Sequence, residues 1–151
     1  MPTDERLDAT DLEILDLLRA DGRATLAAMG ARVSLSSPAV KRRIDRLEAL
    51  GVIRGYTVLL DHAKVGRPLE AFTEIRFAGN TKVDDIAGVA TDLPEVQAVF
   101  TMAGDPDALV WMRVSDVEHL KRVVDQLRRS GKVVGTKTLM VLGTWTRDGR
   151  A

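Results

Sequence analysis

The segment Asp61 to Pro68 (DHAKVGRP) is polar and marked by Gly and Pro, and it separates two stretches with different hydrophobic patterns. Punctuation of this kind is where compact units are joined. Before it, apolar residues recur at helical spacing. After it, short β-prone runs alternate with helical stripes. A chain of 151 residues is long enough for two small domains. The break predicts them over residues 1–60 and 69–151, with 61–68 as linker.

The first 50 residues read as three helices. Leu7, Ile14, Leu15, Leu17 and Leu18 share one side of a helical wheel, behind a cap at Asp8 or Thr10, and Asp21-Gly22 stops the helix. Thr25 caps a short second helix from Leu26 to Arg32. Gly30 inside it costs roughly 1 kcal/mol against Ala. That cost predicts close backbone approach to a neighbouring helix, the alternative being a tolerated weak spot. After Val33-Ser34-Leu35, Ser36 or Ser37 caps a third helix with Pro38 in its first turn. Val40, Ile44 and Leu47 form its buried stripe and Gly51 ends it. Residues 52–60 (VIRGYTVLL) are β-prone and lead out of the helical part.

Beyond the linker the order is strand (70–77), helix (Val83, Ile86, Ala87, Ala90, Leu93), strand (95–103), strand (107–114), helix (Val117, Leu120, Val124, Leu127) and strand (133–145). This βαββαβ order predicts a ferredoxin-like antiparallel sheet with two helices on one face. The fold class is therefore α+β, a winged-type helix-turn-helix followed by a ferredoxin-like domain. In the third and fourth strands apolar residues alternate onto both faces: Ala108, Val110, Met112 and Val114 against Leu109 and Trp111, and Met140 and Leu142 against Leu139, Val141 and Trp145. A sheet apolar on both sides needs a cover on the side without helices, and a second copy of the chain is the economical one.

Net charge is zero, 22 basic against 22 acidic residues, but the charges are segregated. Residues 8–21 carry Asp8, Asp11, Glu13, Asp16 and Asp21 against Arg19, whereas 36–50 carry Lys41, Arg42, Arg43 and Arg46 against Asp45 and Glu48. On the wheel Arg42 and Arg46 point away from the stripe at i and i+4, Lys41 lies on the flank, and Arg43 lies nearer the apolar edge, within reach of the acidic first helix. Two readings fit: a solvated basic face, or a recognition helix entering a major groove. No Cys is present, so disulfides and thiolate metal sites are excluded. The acidic start is unlike a secretory signal and no run reaches a membrane span, which makes the cytoplasm the expectation. His62 and His119 stand apart without metal spacing, and no nucleophile elbow, phosphate loop or dinucleotide fingerprint is found. No catalytic residue, metal or cofactor is expected.

The stretch Leu7 to Asp61, with DGRAT, LSSPAVKRRIDRLEALGVIRGYT and LLD, resembles the DNA-binding half of the Lrp/AsnC family of feast/famine regulators. LPEV (Leu93 to Val96), AGDPDALV (Ala103 to Val110) and TKT (Thr136 to Thr138) are similar to that family's sensing domain. The resemblance implies double-stranded DNA as partner, read by residues 36–46, with Ser36, Ser37, Ala39, Lys41, Arg42 and Arg46 on the recognition helix. It implies homodimers through the sheet, often assembled into tetramers or octamers, with an amino acid bound between subunits in many members. Gly104, Asp105 and Asp107 match the family's effector loop, and Thr138, Leu139 and Met140 the last strand lining the same cleft. Gly-Asp-Pro-Asp is equally a turn signature that needs no ligand.

Pro106 and Ala108 stand where members often carry bulky aromatic residues, which predicts a reshaped or wider effector pocket. Gly131-Lys132-Val133 is one residue longer than the usual approach to the last strand. The competing reading is an enzyme, since siroheme decarboxylases resemble the family in architecture. Such an enzyme needs His and Arg around a tetrapyrrole, and neither His here falls near the expected cleft.

Overall fold

The structure, a computed structural model, describes residues 6–79, 81, 88, 90 and 92–145. The chain divides into two compact units, Met1–Val58 and Leu59–Ala151. No helix among the described residues is long and apolar enough to cross a membrane.

In the N-terminal unit, α1 (Ala9–Ala20), α2 (Leu26–Val33) and α3 (Ser37–Ala49) each begin at a side-chain cap. The Asp8 carboxylate accepts from the Asp11 amide at 2.8 Å, and the Asp11 carboxylate accepts from the Asp8 amide at 3.2 Å. This reciprocal box satisfies two helix-start N–H groups. Thr25 accepts from the Ala28 amide at 3.1 Å and Ser36 from that of Ala39 at 3.4 Å, with Pro38 in the first turn of α3. The stripe Val40, Ile44 and Leu47 is buried, and Val40 and Ile44 pack with Ile14 of α1 and Met29 of α2.

Gly30 is required by a turn and not by a neighbouring helix. Ser34 adopts the left-handed conformation (φ 56°), and the chain folds back so that the Leu35 amide donates to the Gly30 carbonyl at 2.9 Å. A Cβ at residue 30 would overlap the Leu35 carbonyl oxygen. Residues 52–60 differ from their β-prone reading. They form no strand, no strand among the described residues pairs with them, and Val58 is 72% exposed.

The C-terminal unit contains β1 (Leu69–Phe77), β2 (Val96–Thr101), β3 (Ala108–Val114), α4 (Val117–Arg129) and β4 (Val133–Met140). They form an antiparallel sheet in the order β2-β3-β1-β4, the ferredoxin-like arrangement. The helix expected around Val83, Ile86 and Ala87 lies outside the described residues, although Gly88 and Ala90 are helical and Ala90 is fully buried. Strand alternation places Ala71, Thr73 and Ile75 of β1 with Ala108, Val110, Met112 and Val114 of β3 on one dry face. Leu120, Val123, Val124 and Leu127 of α4 join that core. The buried Thr73 hydroxyl is satisfied by Thr138 at 3.0 Å.

The opposite face centres on Phe72, flanked across the ladders by Trp111 and Leu139. The Phe72 and Trp111 rings stack with centroids 6.4 Å apart. Charged pairs border this apolar centre: Glu70 accepts from Trp111 Nε1 at 2.6 Å and from Arg113 at 3.0 Å, and Lys137 lies 3.5 Å from Glu74. The face is thus less uniformly apolar than its alternation suggested. β4 is also shorter than expected. The Val141 amide makes one last bond to Glu70, and β1, which begins at Leu69, offers no further partner. Leu142 and Trp145 therefore lie outside the ladder, and Leu142 is 95% exposed.

Gly30→Ala is expected to destabilise the N-terminal unit. Helix propensity favours Ala by about 1 kcal/mol, but the obstacle is a backbone carbonyl, and overpacking of this kind costs about 1–3 kcal/mol. A denaturant midpoint equal to or above that of the parent would show that the turn yields instead.

Candidate nucleic-acid interface and effector loop

The cations of α3 do not share one orientation. Arg42 is exposed and has no side-chain partner among the described residues. Lys41 is exposed but closed onto Asp45, with Nζ at 2.9 and 2.7 Å from the two carboxylate oxygens. Arg43, as its position near the apolar edge suggested, donates Nη1 to Asp8 at 2.8 Å and to Asp11 at 2.7 Å. Arg46 corrects the helical wheel. Instead of pointing outward with Arg42, it donates Nη1 to Asp11 at 2.9 Å and Nη2 to the Arg6 carbonyl at 3.1 Å. The wheel misplaces it because a long side chain follows the nearest buried carboxylate, not its Cα–Cβ direction. Ser36 is exposed at the helix start, Ser37 and Ala39 are half-buried, and Arg6, Leu35, Ala39 and Arg42 line an open groove along this side.

Asp11 is the residue that sequence reasoning missed. In the sequence it is one of five acids between residues 8 and 21, yet it is 0% exposed. The available signal was its place three residues after Asp8, opposite an arginine pair at i and i+3. Burial pushes the Asp11 carboxyl up, but the hydrogen bonds from Arg43, the Asp8 amide and Arg46 outweigh it and hold the group below its ordinary value. Asp8 is lowered by the Asp11 amide and then by Arg43, and Arg43 is raised by both carboxylates.

In the C-terminal unit the Gly-Asp-Pro-Asp turn joins β2 to β3, with Gly104 at φ 140°. Both carboxylates are engaged. Asp105 lies 2.6 Å from Arg76 Nε and 3.2 Å from its Nη2, and Asp107 accepts from the Phe77 amide at 2.7 Å. The Asp107 amide in turn donates to the Ile75 carbonyl at 3.1 Å, so this side chain pins the end of β1. Ala108 is fully buried on the helix-covered face, so within one chain its side chain lines the core and not an open pocket.

The last-strand residues do not meet this turn within one chain. Leu139 and Met140 pair with Phe72 and Ala71, three and four residues before Ile75 on β1, or about 10–14 Å away. Thr138 faces the core and Leu139 the open face. His119, which stands apart in the sequence without metal spacing, places Nε2 2.9 Å from Glu95 and Nδ1 3.1 Å from the Ser115 hydroxyl. Burial raises the Glu95 carboxyl, and the hydrogen bond from His119 with further local bonds brings it below its usual value.

The lowered Asp8 and Asp11 values set a sign for acid stability. A carboxyl depressed in the folded state contributes stability that is complete above the ordinary value of 3.8 and is lost as pH falls through the folded value. Melting of the N-terminal helices is expected to move to lower temperature as pH falls below about 4, and Asp11→Asn is expected to flatten that dependence. Circular dichroism melts of the full chain check it, and an equal slope in parent and variant would contradict it.

Residues 7–48 match the AsnC-type helix-turn-helix domain, and residues 70–151 match the Lrp/AsnC ligand binding domain. The HTH-type transcriptional regulator Rv2324 of Mycobacterium tuberculosis is 38% identical over 91% of this chain and 93% of its own. The glutamate uptake regulatory protein of Zymomonas mobilis is 36% identical over 81% of this chain and 76% of its own. A transcriptional regulator from Neisseria meningitidis, solved as a complex with L-Met, superposes with a TM-score of 0.88 at 30% identity, covering 94% of each chain. These relatives are named as regulators and none as an enzyme. An AsnC-type helix-turn-helix followed by a ligand-binding ferredoxin-like unit places the chain in the Lrp/AsnC family of DNA-binding transcriptional regulators.

Proposed function

We propose that the chain binds operator DNA in a sequence-specific way and adjusts that binding to a small amino-acid-like effector held between subunits. Residues 1–60 supply the DNA-binding part, 61–68 the connection and 69–151 the sensing part. Ser36 at the cap of α3 and Ser37, Ala39, Lys41 and Arg42 on it are assigned to DNA, Lys41 contributing phosphate affinity and outward Arg42 a readout of guanine edges, while Arg46, held by Asp11, serves the DNA-binding face by bracing the helix. The observation that carries this reading is Arg42, exposed and without a side-chain partner among the described residues, on the third helix of an AsnC-type helix-turn-helix. Arg42→Ala is expected to lower affinity for a duplex selected by the parent and to reduce the salt slope or relax one base position. Binding like the parent would remove α3 from the interface.

Self-association uses the sheet face around Phe72, Trp111 and Leu139. Leu139 is 45% exposed in the single chain, and apolar centre and charged border together have the composition of a protein interface. Two such units place two recognition helices on half-sites separated by whole turns of DNA. Sedimentation is expected to show a dimer or larger assembly that Phe72→Glu shifts to smaller species. A monomeric parent at micromolar concentration would refute it.

The effector site is assigned to Gly104, Asp105 and Asp107 together with Thr138, Leu139 and Met140. Their separation within one chain supports a cleft that two copies complete, and the L-Met complex of the Neisseria relative supports an amino-acid ligand. Exchange of the Arg76–Asp105 pair for contacts to an amino acid's carboxylate and amine is the chemistry on offer. Calorimetry with the twenty amino acids is expected to give binding that Asp105→Ala weakens about tenfold or more. No heat from any of them would leave the loop as a turn.

A further inference from the structure

Four cations lie on α3, and three of them are neutralised by the protein itself. Lys41 is matched by Asp45, and Arg43 and Arg46 are matched by Asp8 and Asp11. Arg42 has no ion-pair partner among the described residues and lines, with Leu35 and Ala39, the groove whose other walls include Asp8 and the paired Arg43 and Arg46. The neutralised pair has a second property. Arg43 and Arg46 stand three residues apart and converge on one buried carboxylate of α1. Their Cα atoms are about 4.5 Å apart along the axis, so α3 is gripped at two points and resists rolling. A roll of about 20° would move atoms at the helix's outer radius of about 5–6 Å by about 2 Å. Hydrogen bonds to base edges tolerate a few tenths of that.

We propose that Arg42 is the side chain of α3 that reads base edges, and that Asp11 is a positioning residue that sets the direction of Arg42 by holding Arg43 and Arg46. This rests on the reading of the chain as a sequence-specific DNA-binding regulator. On this assignment Arg46 is a strut between α3 and α1, and its loss disturbs the whole helix instead of one base position.

The test is selection of duplexes from a random-sequence pool by the full chain, repeated with Arg42→Ala, Asp11→Asn and Arg46→Gln. Affinity for a mixed-sequence duplex is measured in parallel at fixed salt. Arg42→Ala is expected to erase preference at one base step or two adjacent ones, to weaken the parent's selected duplex by about tenfold or more, and to keep the other positions. Asp11→Asn is expected to flatten preference across the half-site, while affinity for the mixed-sequence duplex stays within about threefold, because no phosphate contact is lost. A mere folding defect would lower both affinities together. If melts show that Asp11→Asn does not fold, Arg46→Gln carries the test, with the same flattening across the half-site expected. Loss of a single base preference in Arg46→Gln, with the others intact, makes Arg46 a reader and overturns the assignment. Parental selectivity in Asp11→Asn overturns the positioning role alone. A parent that selects nothing from the pool removes the DNA-binding reading and this inference with it.

Discussion

A single buried carboxylate organises the N-terminal unit. Asp11 closes the capping box that starts α1 and accepts from two arginines of α3. Removing a carboxylate from water costs several kcal/mol unless its oxygens are satisfied. Here the Asp8 amide, Arg43 and Arg46 satisfy them, and the guanidinium groups remain about one-third exposed, so their own desolvation is partial. Helix initiation and the α1–α3 contact are therefore one interaction. The small apolar core of Ile14, Met29, Val40 and Ile44 supplies cohesion, but it is non-directional and does not by itself fix how α3 is rotated.

The C-terminal unit is organised differently. Its cohesion comes from one dry face, where β1 and β3 pack against α4. Register follows from this, because a one-residue slip would move Ile75, Val110 and Met112 out of the core. The other face keeps Phe72, Trp111 and Leu139 together and ties Glu70 to both Trp111 and Arg113, whose guanidinium lies 5.7 Å from the Trp111 ring centroid. An apolar centre with oriented charges at its edge favours a partner surface of matched shape and charge over non-specific adhesion.

The turn between β2 and β3 carries both a turn signature and the resemblance to the family's effector loop. Asp107 is committed to the Phe77 amide and holds the sheet end together, so its part in the proposed site is to shape the loop, not to exchange partners with a ligand. Asp105 is exposed and bound to the exposed Arg76, a pair weak enough in water to be rearranged. Arg76 carries no mark in the sequence, because it sits 29 residues before Asp105 and only the β1–β3 pairing brings them together.

What was legible from residues alone is what depends on neighbours within a turn or two. The cap at Thr25, the stripe of Val40, Ile44 and Leu47, the strand order and the Gly104 turn follow from spacing, and the caps at Asp8 and Ser36 follow as one of two neighbouring choices each, because helix and strand periods are local properties of the backbone. The family resemblance, carried by motifs in both halves, was legible for the same reason. The tertiary structure decided the rest: that Asp11 is buried, that Arg46 turns inward to it, that Gly30 faces the Leu35 carbonyl, and that β4 stops at Met140 where β1 runs out. It also separated Leu139 and Met140 from the Gly-Asp loop within one chain. Each of these depends on a group outside the local turn, from the Leu35 carbonyl beside Gly30 to the β1 partner of β4, and a period read along the chain holds no record of such partners.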